Sequence, residues 1–154
     1  MPKITLRRIT KNNVLSVIRL YDTLSPDQKK CVAPNAVSIA QAYAERKNAW
    51  PRAVYAGKKL VGFLMVNKDL TDGPAADRPT AYLWRFMIAG PFQGKGYGKA
   101  VLDEIVSQMR RIGKKTLYVS CTMDGPMPYA FYLKYGFTDT HVVTDGEEDL
   151  RLVL

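Results

Sequence analysis

The stretch TAYLWRFMIAGPFQGKGYGKAVLDEIV, residues 80–106, carries the most informative pattern in the chain. Its first ten residues are almost continuously apolar, which predicts a strand near the centre of a sheet. Three glycines at alternate positions follow, and from Val101 to Met109 apolar residues recur at helical spacing until Gly113. A strand, a glycine-rich loop and a helix in this order favour an anion site. Backbone N–H groups converge there with the positive end of the helix dipole.

Two common phosphate-binding loops do not fit these glycines. A Walker loop requires a glycine five residues before Gly98, where Gln93 stands, and a Ser or Thr after Lys99, where an alanine stands. The dinucleotide fingerprint G-x-G-x-x-G requires a spacing that the alternating Gly94, Gly96 and Gly98 do not have. The sequence therefore excludes both uses. A flexible turn with solvated lysines is the remaining structural alternative.

The rest of the chain alternates between strand and helix patterns. Strands are predicted at residues 3–9, 51–56, 59–67, 80–89 and 115–121 and in a C-terminal hairpin that turns near Asp145 and Gly146. Helices are predicted at residues 12–24, 36–48 and 128–136 and directly after the glycine-rich loop. We find no repeat and no linker, so we expect one mixed α/β domain over residues 1–154.

Composition narrows the class of partner. The chain has 154 residues, 47% of them hydrophobic, and a net charge of +9. Its basic residues form short scattered groups that are not interleaved with aromatics, so a nucleic-acid partner is not expected. No window approaches the roughly 18 apolar residues of a membrane span, and no apolar segment follows the charged N-terminus. We therefore expect a cytoplasmic protein without a membrane partner. A homodimer stays open.

Residues 93–98 resemble the acyl-CoA-binding loop of the GCN5-related N-acetyltransferases (GNAT), whose pattern is Arg/Gln-x-x-Gly-x-Gly/Ala. Residues 82–106 are similar to the family's fourth strand, loop and third helix. LYVSC (117–121) and FYLKYGF (131–137) are similar to its fifth strand and fourth helix. The resemblance implies the GNAT fold, a mostly antiparallel twisted sheet of about six to seven strands flanked by about four helices. Within the family the chain is most similar to bacterial spermine/spermidine-type acetyltransferases.

The resemblance also implies an activity: direct transfer of an acetyl group from the cosubstrate acetyl-CoA to a small primary amine, such as a polyamine. Tyr132 takes the place of the family's general acid, which protonates the CoA sulfur. The pantetheine arm would lie against Phe86, Met87 and Ile88, one of whose N–H groups would serve as the oxyanion donor. The pyrophosphate would bind backbone amides of Gln93, Gly94, Lys95, Gly96, Tyr97, Gly98 and Lys99, with the two lysines as phosphate neighbours.

The chain departs from the family pattern at two places. Many relatives carry an Asn before the fourth helix, where Asp124 and Gly125 stand here, and a carboxylate on the fourth strand, which offers only Arg85. The general base is therefore unassigned. It is a water chain, a carboxylate from elsewhere (Asp22, Asp69 or Asp72), or no residue at all if the amine arrives neutral. Arg85 either meets a core carboxylate or reaches the substrate cleft.

The sequence is less informative about the acceptor than about the donor. Acidic residues concentrate in 69–77 and 145–149 and could rim a cleft for a cationic amine, and helix 36–48 with Tyr43 and Trp50 is expected to form its wall. A peptide or protein N-terminus and an aminoglycoside fit the same frame. A non-catalytic acyl-CoA-binding or nucleic-acid-binding module is the alternative from another class.

The remaining reactive side chains are assigned to structure. His141 is expected to have a structural or surface role, and Cys121 that of a small buried residue, because no orienting base is evident for it. Cys31 and Cys121 have no metal-like spacing, and no metal is expected. Both are expected as reduced thiols, with a disulfide between them as the alternative.

Overall fold

The computed structural model describes residues 1–70, 79–123 and 128–154, and one twisted sheet contains strands from both ends of the chain. The strands are β1 Ile4–Arg7, β2 Ala49–Ala56, β3 Lys59–Asn67, β4 Thr80–Ile88, β5 Thr116–Cys121, β6 Thr138–Thr144 and β7 Glu147–Val153. They lie in the order β1-β2-β3-β4-β5-β7-β6. Neighbouring strands are antiparallel except β4 and β5, which are parallel. The predicted fold class and the central position of β4 are confirmed.

The α-helices are α1 Val14–Arg19, α2 Pro26–Lys29, α3 Asn35–Ala44, α4 Tyr97–Arg111 and α5 Tyr129–Tyr135. Two differ from the prediction. The first helix ends at Arg19 and continues as a 3₁₀ turn, and α3 ends at Ala44, four residues before the predicted end at residue 48. The short α2 was not predicted, although Ser25 and Gln28 form a capping box around Pro26. None of the helices in the described part of the chain has the length and apolar content to cross a membrane.

Both faces of the sheet are covered. On β3, Leu64 and Val66 pack into an apolar cluster with α4, whereas Phe63 and Met65 pack into a second cluster with α1 and α3. All four of these β3 side chains are fully buried. A strand buried on both faces has a nearly continuous apolar sequence, which explains why residues 59–67 lack a clear alternation.

A β-bulge interrupts β4 next to the middle of the sheet. Met65 of β3 pairs with Arg85, and the next residue, Val66, pairs with Leu83, so Trp84 is an extra residue in β4. Before the bulge the odd-numbered residues of β4 face the α4 cluster, and after it the even-numbered residues do. The bulge therefore reverses which side chains of β4 point to each face.

The parallel contact between β4 and β5 is short. Residues Thr80–Leu83 pair with Thr116–Val119, and the pairing ends there although both strands continue. Beyond these pairs the strands diverge, and the two facing edges line a common cavity. This gap leaves backbone donors of β4 available to a ligand.

Candidate active site

A cavity of about 800 Å³ occupies the gap between β4 and β5. Its volume falls in the range of small-molecule sites. Six segments contribute to its wall: the end of α2 with the loop to α3, the second half of β4, the glycine-rich loop, the end of β5, α5, and the start of β7. The cavity therefore joins the most specific sequence motif to parts of the chain that are distant in sequence.

The glycine-rich loop ends at the N-terminus of α4. Gly96 is the N-cap in the left-handed region, with φ of +85°, and Gly94 has φ of +71°. Both values disfavour other residues, because a Cβ would clash with the backbone. No side chain of the described residues caps this helix, so its first N–H groups remain available to a ligand. Gln93 holds the loop against β4 by donating from Nε2 to the carbonyl of Ile88 at 2.8 Å.

Most of the predicted donor-binding residues lie together on the cavity wall. They are Phe86, Met87, Ile88, Gln93, Gly94, Gly96, Tyr97 and Gly98. Lys95 and Lys99 do not line it: Lys99 forms an exposed ion pair with Asp103 at 2.9 Å, and Lys95 lies 5.9 Å from the ring centre of Phe92. The backbone of the loop therefore lines the cavity, whereas the role predicted for the two lysines as phosphate neighbours stays a prediction.

Tyr132 lies on the cavity wall from α5. The residue is 4% exposed, with its ring packed at 5.4 Å from Phe131 and 5.3 Å from Phe137, centre to centre. Within the described residues its hydroxyl has no hydrogen-bond partner. Burial, with smaller effects of Cys121 and Tyr82, raises the pKa of the Tyr132 hydroxyl. The phenol is therefore protonated at neutral pH, as a proton donor must be.

The two thiols at the cavity are inert by the same physics. Burial raises the pKa of Cys121 to about 11, with Glu147 adding to the shift, and burial also raises the pKa of Cys31. Both cysteines are free. A nucleophilic cysteine needs a lowered pKa, so the prediction that Cys121 is a structural residue agrees with its surroundings.

One wall of the cavity is held by a chain of hydrogen bonds. The hydroxyl of Tyr82 donates to Ser120 Oγ at 3.1 Å, and Ser120 donates to Asp149 Oδ1 at 2.9 Å. Asp149 Oδ2 accepts from Thr144 Oγ1 at 3.0 Å. The chain ties β4, β5 and β7 together beside the gap and occupies both carboxylate oxygens of Asp149.

Two of the three carboxylates proposed from sequence as general bases, Asp22 and Asp69, do not line the cavity. Asp22 and Asp69 are exposed, and Asp69 pairs with Lys114 at 3.4 Å. Asp72 lies outside the described residues. Glu147, which the sequence analysis did not single out, lines the cavity from β7. Burial raises the pKa of Glu147, and only Arg85 opposes that shift. The sequence signal that could have indicated Glu147 was the acidic stretch 145–149, which was expected to rim a cleft.

Arg85 lines this cavity. This position agrees with the second of its two predicted alternatives, a core carboxylate or the substrate cleft. Its guanidinium donates from Nη1 to the carbonyl of Trp84 at 3.1 Å and from Nη2 to Gln41 Oε1 at 3.2 Å. Nε is buried and without a partner in the described structure. No carboxylate of the described residues lies within 4.0 Å of this guanidinium. Burial lowers the pKa of Arg85.

Other predicted site residues lie elsewhere. Tyr43 is 71% exposed on α3, and Trp50 packs in the sheet, so neither forms a wall of this cavity. His141 is exposed on β6, with Nδ1 at 3.7 Å from Asp139. The positions that replace the family's Asn, 124 and 125, lie outside the described residues.

Comparisons with known proteins give the family and the relatives of the chain. The sequence model of the Acetyltransferase (GNAT) family matches residues 17–137. The spermine/spermidine N(1)-acetyltransferase of Bacillus subtilis is 26% identical over 137 residues, which cover 87% of each chain. An uncharacterised N-acetyltransferase, ycf52 of Pyropia yezoensis, is 27% identical over 129 residues. That match covers 81% of this chain and 64% of the ycf52 protein.

Solved structures share the fold at lower identity. An acetyltransferase from Thermus thermophilus matches all of both chains with a TM-score of 0.78 and 19% identity. The microcin C7 self-immunity acetyltransferase MccE, in a complex with acetyl-CoA and AMP, matches with a TM-score of 0.75 and 20% identity. That match covers 99% of this chain and 93% of MccE. At such identities the comparison establishes a common fold.

Proposed function

Because the chain belongs to the acetyltransferase (GNAT) family, we propose that it transfers the acetyl group of acetyl-CoA directly to a small primary amine. One observation carries this proposal: among the described residues, the uncapped amides at the start of α4, the unpaired edge of β4 and the Tyr132 hydroxyl meet in one cavity. These are the three groups that an acyl-thioester donor requires at its phosphate, its amide arm and its sulfur.

The donor would lie along the cavity from the glycine-rich loop to α5. Backbone N–H groups of residues 93–98 would donate to the pyrophosphate at the helix N-terminus. The edge of β4 at Phe86, Met87 and Ile88 would pair with the pantetheine amides, as an added strand does. An N–H group of this edge would also donate to the thioester oxygen as negative charge develops there, a contact worth roughly 3–4 kcal/mol in other enzymes.

The chemical step then needs two proton movements. The neutral amine attacks the thioester carbon, a C–N bond forms, and the C–S bond breaks. Tyr132 donates its phenolic proton to the departing sulfur, which leaves as the thiol of CoA. The phenolate regains a proton from the nitrogen, which loses it as the amide forms, so the enzyme ends unchanged. Direct transfer agrees with the raised pKa of both cavity thiols, which disfavours an acetyl-cysteine intermediate.

The proposed acceptor class rests on the relatives. The Bacillus subtilis relative is named for spermine and spermidine, which places polyamines on the panel of candidate amines. At 26% identity it supports a primary amine more strongly than any one acceptor. Amino acids, diamines, aminoglycosides and a short peptide with a free N-terminus complete that panel.

A thiol-release assay with acetyl-CoA over this panel tests the proposal. We expect release of CoA that depends on the amine, with a stoichiometric N-acetyl product by mass spectrometry. Titration with acetyl-CoA by calorimetry is the companion measurement. Binding of acetyl-CoA without turnover on any amine would contradict catalysis and favour the non-catalytic module instead. Absence of binding would contradict the donor site itself.

A further inference from the structure

Two side chains of opposite charge face the same cavity without pairing. Arg85 and Glu147 both line it, and each is partly buried. They are not within 4.0 Å of each other, and within the described residues neither has another ion-pair partner. Each still stabilises the charge of the other, since Glu147 raises the pKa of Arg85 and Arg85 lowers that of Glu147.

This arrangement costs the folded protein free energy. Burial is the largest influence on both groups and opposes ionisation of each. The hydrogen bonds of Arg85 go to two neutral oxygens, of Trp84 and Gln41, and a guanidinium binds a carboxylate more strongly than a neutral acceptor. Separated, desolvated charges on a cavity wall are typical of a site that a ligand completes.

We propose that Arg85 and Glu147 select an acceptor that carries both an ammonium and a carboxylate group, that is, a free amino acid. The carboxylate would bind the Arg85 guanidinium and replace its neutral acceptors. The ammonium would lie at Glu147, which takes the proton that the amine must lose before attack. This inference rests on the proposed acetyl transfer and names its substrate class.

The charged side chains that line the described part of the cavity also disfavour a polycation. The charged side chains of the described residues that line it are Lys29, Lys30, Arg85 and Glu147. Three cations and one anion match the phosphates of a CoA donor and a zwitterion beside it. A polyamine would bring several positive charges next to Arg85, and no carboxylate of the described residues lies within 4.0 Å of that guanidinium to offset the repulsion.

Matched pairs of acceptors isolate the carboxylate. The pairs are phenylalanine with phenethylamine, ornithine with putrescine, and lysine with cadaverine, and each pair differs only in the carboxyl group. We expect kcat/KM for the amino acid to exceed that for its partner amine by at least about tenfold, the effect of roughly 1.4 kcal/mol of added binding. We expect Arg85→Gln to reduce this ratio to near one, and Arg85→Lys to restore it in part, since a lysine keeps the charge without the fork.

The chain offers a matched control arginine. Arg52 is also half-buried with a lowered pKa, about 10, caused chiefly by burial, and its Nη1 donates to a backbone carbonyl, but it does not line the cavity. Arg52→Gln should leave the ratio unchanged, so a general effect of losing a half-buried arginine is accounted for. Glu147→Gln should lower kcat/KM for both members of each pair, because both carry the ammonium.

The outcomes separate this inference from the proposed function. Equal or better turnover of the decarboxylated amines, or an amino-acid preference that survives Arg85→Gln, would overturn the inference and leave acetyl transfer intact. If no amine is acetylated, the proposed function fails. The same acceptor pairs are then titrated calorimetrically onto the CoA-bound protein. Binding of the amino acids but not of the amines would uphold the zwitterion site, and the reverse would refute it.

Discussion

Tyr132→Phe is the substitution that separates chemistry from folding most cleanly. The ring is 4% exposed and packs against Phe131 and Phe137, and phenylalanine keeps all of these contacts. The hydroxyl that is lost has no hydrogen-bond partner among the described residues, so we expect the free energy of unfolding to change by less than about 1 kcal/mol. A general acid contributes about 10²–10⁴ in rate. We therefore expect kcat to fall by a factor in that range, about 2.7–5.5 kcal/mol in activation free energy.

The assay is steady-state thiol release at saturating acetyl-CoA, with acetyl-CoA affinity measured by calorimetry. Affinity should stay within about threefold of the wild type, since the ground-state donor gains little from the phenol. Tyr135→Phe is the control: its hydroxyl donates to Asp103 at 2.8 Å, and Tyr135 does not line the cavity. That variant should lose about 0.5–1.5 kcal/mol of stability and little activity. A kcat of Tyr132→Phe within threefold of the wild type would refute the assignment of the acid.

Three further predictions concern the frame of the site. Gly62→Ala should cost about 1–3 kcal/mol in urea unfolding, since its Cβ would lie 2.5 Å from the carbonyl oxygen of Met87; an unchanged midpoint would contradict the close packing of β3 on β4. Gly96→Ala, at φ of +85°, should weaken acetyl-CoA binding about fivefold or more through about 1–2 kcal/mol of backbone strain. Gly113→Ala, at φ of +87° at the other end of α4, should cost similar stability and leave the affinity for acetyl-CoA unchanged. Equal losses of affinity in the Gly96→Ala and Gly113→Ala variants would contradict the assignment of the loop as the binding site. Because the pKa of Glu147 is raised in the folded state, ionisation of this carboxyl lowers the free energy of unfolding above that pKa. Below about pH 4 the carboxyl is protonated in the folded and the unfolded protein, and the destabilisation is absent. Glu147→Gln should therefore raise the Tm at pH 7 and lose this gain near pH 4, and a lower Tm at pH 7 would contradict the burial of the charge.

The fold could be predicted because its signals are local. The apolar run of β4, the alternating glycines and the helical spacing of α4 each depend on residues close in sequence, and the order of elements then specifies the sheet. The β4 bulge could not be read in this way. It appears only in the pairing with β3, where Trp84 is the extra residue. The bulge reverses which face of the sheet each later residue of β4 points to.

The same difference between local patterns and strand pairing separates the site residues that could be predicted from those that could not. Residues of the glycine-rich loop and of β4 were predicted together and share one cavity, although their catalytic roles stay predictions. Glu147 was not singled out, because β7 reaches the gap only through its pairing with β5. Lys95 and Lys99 do not line the cavity, which the sequence could not show, because sequence proximity to the glycines does not give the direction of a side chain. Their role beside the phosphates stays a prediction.

A crystal structure of the protein with CoA is the most direct test of the central claim, that one cavity holds the donor from its pyrophosphate to its sulfur. We predict pyrophosphate oxygens accepting hydrogen bonds from backbone amides of residues 93–98, the pantetheine arm along β4, and the sulfur within hydrogen-bonding distance of Tyr132 Oη. A complex with the pyrophosphate away from the N-terminus of α4, or with the sulfur out of reach of Tyr132, would contradict the account.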